Sequence, residues 1–403
     1  MDKSLKISTT IALFVVLFFC FNYIFASSYI YELIKSSDVS SIATNANPSF
    51  TFESQAQVLM EPETGNIIYA NNAEEKMLPA SVTKLMTLLL LMEKIDSGAL
   101  NYSDTITCSE NASQMGGSQI WFEEGETLTV DEALKAICIV SANDVTVAVA
   151  EKIGGSEENF VSMMNEKAKS LGMNNTHYMN SHGIDEEGHY TCAYDQAILA
   201  RELISKHPNI LKYTSIWMDT LRNGETELNS TNKLIRFYDG ATGLKTGYTS
   251  LAMYNLVGTA TRGNTTFISV IMKAPSSDVR LKETKMLLDY GFSNFETKKI
   301  ASQNNDLDEI DVDKNINENL KTKISGDVYA LYKKGEDSQY ETNIIYDENI
   351  RAPLHEGDVV GKFQILNNGE IFDEKDIICI NDVLKSNFLD YLIYFFNNYF
   401  KAQ

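Results

Sequence analysis

Residues 85–95 read Leu-Met-Thr-Leu-Leu-Leu-Leu-Met-Glu-Lys-Ile, with neither glycine nor proline. The stretch is too long for an ordinary strand and rich in helix formers, so it predicts a helix, and one apolar on nearly every side must be buried. It is introduced by Leu78-Pro79-Ala80-Ser81-Val82-Thr83-Lys84, which puts a hydroxyl and an amine at the head of a core element. A core able to surround such a helix needs a long chain with many apolar residues. This one has 403 residues, 44% of them hydrophobic, enough for two or three domains. Six prolines and 22 glycines exclude a collagen-like or low-complexity chain.

The formal net charge of −21 argues against a nucleic-acid partner, because phosphate binding rests on Lys and Arg. At the N-terminus, Lys3 and Lys6 precede an apolar run over residues 11–25 that ends in Ala26-Ser27-Ser28. This reads as an export signal over residues 1–28, short for a spanning helix. Ile24 is large where a cleavage site wants a small residue, so an uncleaved anchor is the alternative. Phe19 before Cys20 does not fit a lipoprotein attachment box. Without residues 1–28 the charge is −22, and such a chain is not drawn electrostatically to anionic lipid or wall polymers. The remaining cysteines, 108, 138, 192 and 379, are far apart and read as free buried thiols.

Residues 29–49 form a Ser/Ala/Asn/Thr linker. Strands are expected over 56–60 and 66–70, around Glu61-Pro62-Glu63-Thr64-Gly65. Two helical runs within 130–153 join at Ser141-Ala142-Asn143. Further helices are expected over 160–171 and 193–205, and over 279–290 with Gly291 as its stop. Strands over 254–261 and 265–273 pair around Arg262-Gly263-Asn264. A catalytic domain thus spans 50–297. Beyond it, short β-like runs (328–332, 342–346, 359–366) between acidic turns read as a small β domain over 298–382. Residues 383–403 place Leu384, Phe388, Tyr391, Leu392, Phe395 and Tyr399 at helical spacing, an amphipathic helix suited to a membrane interface. A terminal helix packed on the β domain is the alternative.

Three ordered motifs carry chemistry. In Ser81-Val82-Thr83-Lys84 the two polar residues are three apart, so a helix sets them on one face. A desolvated lysine loses its proton readily and can then activate the serine as a nucleophile. Helix N-terminal amides stabilise developing negative charge. Ser141-Ala142-Asn143 follows, able to relay protons and hold a substrate amide. In Lys245-Thr246-Gly247, Lys245 supplies positive charge for a substrate carboxylate and Thr246 can donate to the same group. Gly247 lets a substrate backbone lie close to a strand edge. Ser-x-x-Lys, Ser-x-Asn and Lys-Thr-Gly, in this order, are the set of penicillin-binding proteins and serine β-lactamases.

The sequence resembles one family closely: the low-molecular-mass penicillin-binding proteins that act as serine-type D-alanyl-D-alanine carboxypeptidases, peptidase family S11. Residues 78–87 match its nucleophile segment. So do Asn180-Ser181-His182-Gly183, Tyr190-Thr191 with Tyr194-Asp195, Thr231-Asn232-Lys233-Leu234, and Gly243-Leu244-Lys245-Thr246-Gly247-Tyr248-Thr249. The resemblance implies an α/β (α+β) transpeptidase-like domain of the penicillin-binding-protein/β-lactamase type, with an antiparallel sheet flanked by helices, then a small all-β domain and a C-terminal amphipathic helix. It implies an enzyme at the outer face of the bacterial cell membrane, trimming peptidoglycan stem peptides without a cofactor, and acylated by β-lactams. Ser81 is then the nucleophile, Lys84 the general base, and Ser141 the relay to the leaving amine beside Asn143. Lys245, Thr246 and Gly247 receive substrate, the amides of Ser81 and Tyr248 form the oxyanion hole, and His182 lies near the site.

Two departures stand out. The family has Ala-Gly where this chain has Ala252-Met253, and Ala142 replaces the commoner glycine. His182 reads equally as a structural histidine, and Trp121 and Tyr248 as cleft lining or ordinary packing. No spacing around His177, His182 and His189 suggests a metal site. Two rivals are a serine β-lactamase and a non-hydrolytic penicillin-binding sensor. The Glu-x-x-Leu-Asn box of the first occurs as Glu225-Thr226-Glu227-Leu228-Asn229, too near Lys245 for a deacylating glutamate.

Overall fold

A computed structural model describes residues 50–401 apart from 304–306, 308, 317–318, 337–339 and 368. The expected signal (1–28) and linker (29–49) lie outside the described residues.

Strands β1 (Ala56–Met60), β2 (Ile67–Asn71), β3 (Ala241–Thr249), β4 (Met253–Arg262) and β5 (Thr265–Ala274) form one antiparallel sheet of order β2-β1-β5-β4-β3. Alternation along these strands divides the apolar residues between two cores. Val58, Met60, Ile268, Val270 and Met272 face one, Leu59, Phe267 and Ile271 the other. The first core holds α1 (Lys84–Asp96), which contains the apolar run 85–95. Its residues from Lys84 to Met92 are all buried. Around α1 pack α2 (Val130–Lys135), α3 (Asn143–Gly154), α4 (Glu157–Ser170) and α5 (Ala193–Lys206). The second core is covered by α6 (Ser277–Asn294).

The β1–β2 turn is organised from inside. Glu61 is buried, and its carboxylate accepts from the Thr64 amide (2.8 Å), the Thr64 hydroxyl (2.5 Å) and the Thr297 hydroxyl (3.0 Å). Gly291 does not stop its helix; α6 continues to Asn294. A Cβ there would stand 2.8 Å from Cδ2 of Phe267. This glycine answers a close helix–sheet contact, which local sequence does not reveal.

Strand β6 (Phe295–Ala301) crosses position 298, where the sequence placed the start of the β domain, and pairs with β8 (Val328–Lys333). The other β-domain strands are β7 (Thr322–Ile324), β9 (Tyr340–Tyr346), β10 (Val359–Asn367) and β11 (Glu370–Cys379), in the order β7-β11-β10-β9. Strand β11 lies outside the runs read as β from the sequence, its stretch 373–376 being charged throughout. In the sheet, Glu374 and Asp376 meet Lys362 of β10 at 3.2 and 2.8 Å, while Ile377 and Cys379 are buried. The terminal helix begins later than expected, as α7 (Phe388–Lys401). Val383 is buried in the β-domain core and bonds Leu354. Asn387 opens α7, its side chain accepting from the Leu389 amide at 2.8 Å. Phe388, Leu389, Ile393, Phe395 and Phe396 are exposed. Among the described residues no helix is long and apolar enough to cross a membrane. Cys108, Cys138, Cys192 and Cys379 are free and buried.

If Gly291 is required by the Phe267 contact, Gly291→Ala costs about 1–3 kcal/mol of stability by overpacking. Urea unfolding should show the loss, and an unchanged midpoint would disprove the steric account.

Candidate active site

Ser81 lies in a single 3₁₀ turn, Ala80–Thr83, that runs directly into α1. The turn is held from the sheet: Asn255 on β4 donates to the carbonyls of Leu78 (3.1 Å) and Pro79 (2.9 Å), and its own Oδ1 accepts from the Lys273 amide at 2.7 Å. Lys84, one turn on, is wholly buried. Its Nζ lies 3.0 Å from Ser81 Oγ, 2.6 Å from Asn143 Oδ1 and 2.5 Å from the carbonyl oxygen of His182. Burial, then the neighbouring Lys245, push the Lys84 amine well below the usual lysine range, against a smaller opposing pull from Asp144. An uncharged amine has two N–H groups and one lone pair. Asn143 and His182 offer only acceptors, so they take the two hydrogens, and the lone pair is left for the Ser81 hydroxyl.

Ser141 sits between a π turn (Ala136–Val140) and α3, in the left-handed region at φ 65°. A non-glycine residue there is strained, by about 1–2 kcal/mol, and such strain gathers at functional sites. Its hydroxyl accepts from Lys245 Nζ at 2.9 Å. Lys245, buried on β3, also donates to the carbonyl of Thr246 (2.8 Å). Burial pushes its amine down to about 7. The Thr246 hydroxyl is 2.7 Å from that of Thr231, which ties the Thr231-Asn232-Lys233-Leu234 segment to the strand. Strand β3 is a sheet edge, and Gly247 lies on it against the serine turn. A Cβ there would stand 2.9 Å from the Pro79 carbonyl and 3.1 Å from the Ser81 amide nitrogen. The three motifs, distant in sequence, are thus joined: Lys84 bonds Ser81 and Asn143, Lys245 bonds Ser141, and Gly247 lies against the serine turn. Tyr248 is 55% exposed, its ring 4.4 Å from that of Tyr254.

His182 enters through its carbonyl. Its imidazole, kept neutral by burial with a pKa down to about 3, accepts from the Ile184 amide (3.2 Å). His189 is neutral for the same reason: Nδ1 accepts from the Met179 amide, so Nε2 donates to the Thr83 hydroxyl at 2.8 Å. Three contributors were not picked out from sequence. Asn255 and Thr83 brace the serine turn, and Asp144 braces the loop of residues 116–122 through the amides of Ile120 and Phe122 (3.0 Å each). No local signal marks Asn255. The Glu225-Thr226-Glu227-Leu228-Asn229 box lies largely in a hairpin strand, Thr226–Asn229, paired with Met218–Leu221, and none of its described bonds reaches Ser81 or Lys84.

Fold and site together define a centre of the serine–lysine type, with a serine hydroxyl 3.0 Å from a buried amine and a strand edge that carries a second buried lysine. A model of the D-alanyl-D-alanine carboxypeptidase family, peptidase S11, matches residues 42–276, and one of the penicillin-binding protein 5 C-terminal domain matches residues 295–385. The D-alanyl-D-alanine carboxypeptidase DacF of Bacillus subtilis is 41% identical over 344 residues, covering 84% of this chain and 88% of that protein. DacA of Escherichia coli K12 is 29% identical over 373 residues, covering 86% and 89%. Penicillin-binding protein 5 from Haemophilus influenzae superposes with a TM-score of 0.71 at 31% identity, covering 84% of this chain and 99% of that one. Penicillin-binding protein D2 of Listeria monocytogenes, in its ampicillin-bound form, does so with a TM-score of 0.56 at 31% identity, covering 61% and 100%. The chain belongs to the peptidase S11 family of D-alanyl-D-alanine carboxypeptidases.

The departure at Met253 now has a structural meaning. Met253 opens β4 at φ 56°, opposite Thr249, a conformation that glycine adopts freely and methionine does not. Met253→Gly should raise the unfolding free energy by about 1 kcal/mol, since relief of strain outweighs the extra chain entropy. Loss of stability in a denaturant titration would show the turn to be unstrained.

Proposed function

We propose that this enzyme removes the terminal D-alanine from peptidoglycan stem pentapeptides through an acyl-enzyme on Ser81. The observation that carries the reading is the 3.0 Å approach to the Ser81 hydroxyl of the Lys84 amine, which burial pushes well below the usual lysine range. The substrate lies along the β3 edge beside Gly247. Its terminal carboxylate is held by the Lys245 ammonium and the Thr246 hydroxyl.

Lys84 takes the Ser81 proton as Oγ forms a bond to the carbonyl carbon of the penultimate D-alanine. The amides of Ser81 and Tyr248 hold the resulting oxyanion. The C–N bond then breaks, and the proton passes from Lys84 through Ser141 to the departing D-alanine amine. Asn143 keeps Lys84 oriented and offers its amide to the substrate. Water cleaves the Ser81 ester, releasing the tetrapeptide and restoring the hydroxyl. Penicillins acylate Ser81 by the same first step, their carboxylate standing for that of D-alanine. A sensor or a β-lactamase would share that acylation but not sustained release of D-alanine.

The setting of such a substrate is extracytoplasmic. The exposed apolar residues of α7, from Phe388 (81% exposed) to Phe396, support docking of this helix on a membrane surface, with the β domain as spacer.

Fluorescent penicillin should label the wild type and leave Ser81→Ala unlabelled, and the wild type should release D-alanine from diacetyl-Lys-D-Ala-D-Ala over many turnovers. Stoichiometric acylation without release would indicate a sensor instead. Lys84→Ala, if folded, should slow acylation by about 10²–10⁴-fold.

The two lysines also set the pH profile. As pH falls through its lowered pKa Lys84 gains a proton and can no longer act as base, so kcat/KM falls on the acid side. On the alkaline side Lys245 loses its charge at about 7 in the free enzyme, and carboxylate capture weakens. A bell-shaped kcat/KM follows, and a substrate amidated at its C-terminus should lose the alkaline limb. Persistence of that limb with the amide would remove Lys245 from carboxylate binding.

A further inference from the structure

Trp121 combines two costs. It is 76% exposed, although it is the largest apolar side chain type, and its backbone is left-handed at φ 58°. A β-carbon in that region is strained, by about 1–2 kcal/mol. Among the described residues its indole pairs with no other ring.

The surrounding chain enforces this arrangement. The amides on either side, of Ile120 and Phe122, both donate to one carboxylate oxygen of buried Asp144, at 3.0 Å each. The carbonyls of Ile120 and Trp121 accept from the Arg222 guanidinium at 2.9 and 3.1 Å. Arg222 is itself held by both oxygens of Glu126, at 2.6 and 2.9 Å. The loop is joined to the active site as well. Asn143 donates from its backbone to Ser118 and from its side chain to Gly116, 2.7 Å in each case. Three residues of chain span at most about 10 Å, so Trp121 stands beside the wall of the cleft formed by Asn143. A strained, exposed indole on a rigid turn next to a substrate site calls for a partner that stacks on it. The rigidity means that little order has to be imposed on binding.

We propose that Trp121 is a stacking platform for the part of the cell-wall substrate upstream of its two D-alanines. Its partner is a C–H-rich face, supplied by a pyranose ring or by the aliphatic carbons of the stem-peptide residues that precede the third. The inference rests on the carboxypeptidase reading above. It makes Trp121 a specificity determinant that favours long, wall-derived substrates over short peptides. The relevant face is absent from penicillins and from minimal peptides.

The test compares wild type, Trp121→Ala and Trp121→Phe on disaccharide-pentapeptide, free pentapeptide and diacetyl-Lys-D-Ala-D-Ala, with the rate of benzylpenicillin acylation alongside. Trp121→Ala should lower kcat/KM for the disaccharide-pentapeptide about 3–10-fold, chiefly through KM. Trp121→Phe should retain most of the activity, and the minimal peptide and benzylpenicillin should change less than twofold. If the free pentapeptide shares the loss, the stacked face is peptide; if it escapes, the face is sugar. An Ala variant indistinguishable from wild type on the disaccharide-pentapeptide overturns the proposal. So does an equal loss on every substrate including benzylpenicillin, since the turn would then act only by positioning Asn143. Failure of the wild type to release D-alanine from any substrate refutes the carboxypeptidase reading instead, separately from any comparison of variants.

Discussion

The site depends on the burial of one amine. Lys84 stands at the head of a helix whose body has no exposed face over its first nine residues, so its side chain cannot reach water. A lysine so placed would ordinarily be a liability, because an unpaired buried charge is costly. Here burial works against the charge: among the described residues no carboxylate is within ion-pair distance of Lys84, and a second buried lysine stands nearby. Two acceptors consume its hydrogens, and the lone pair is left for Ser81. The hydrophobic core and the reactive centre are therefore parts of one arrangement, in which apolar packing sets the protonation state.

Around that amine the molecule holds several backbone positions away from their relaxed geometry. Ser141, Trp121 and Met253 all lie at positive φ, each beside a segment that shapes the cleft. Buried polar side chains hold two of these segments: Asp144 grips the Trp121 turn, and Lys245 binds the Ser141 hydroxyl. Rigid placement of this kind lowers the reorganisation needed during reaction. The β domain has such a position too, Lys314 at φ 67°. Its charged strand pairs are exposed, each worth little singly, and its own small core closes over Val383 before α7 begins.

How much was legible in the sequence varied with the range of the interactions involved. The helix over 85–95, the hairpin around Glu61 and the strand pair around Gly263 follow from periodicity and turn chemistry, and the structure places each within a residue or two. The acidic strand Glu370–Cys379 is hidden in the sequence because the lysine that meets its Glu374 and Asp376, Lys362, belongs to the neighbouring strand. Gly291 reads locally as a helix stop because the Phe267 ring that requires it belongs to another element.

The same division holds in the site. Ser81, Lys84, Ser141, Asn143 and Lys245 could be picked out because their chemistry requires particular residue types in a particular order, and that order survives in one dimension. Asn255, Asp144 and Thr83 could not, since an asparagine, an aspartate or a threonine acquires a positioning role only from the backbone that folding sets against it. Local sequence by itself determined the reactive groups and the helix that presents them, through side-chain chemistry and a 3.6-residue period. The tertiary structure alone decided that the Lys84 amine is pushed well below the usual lysine range, that His182 contributes a carbonyl rather than its ring, and that Trp121 stands exposed. Each of these rests on desolvation or on contacts between segments remote in the chain.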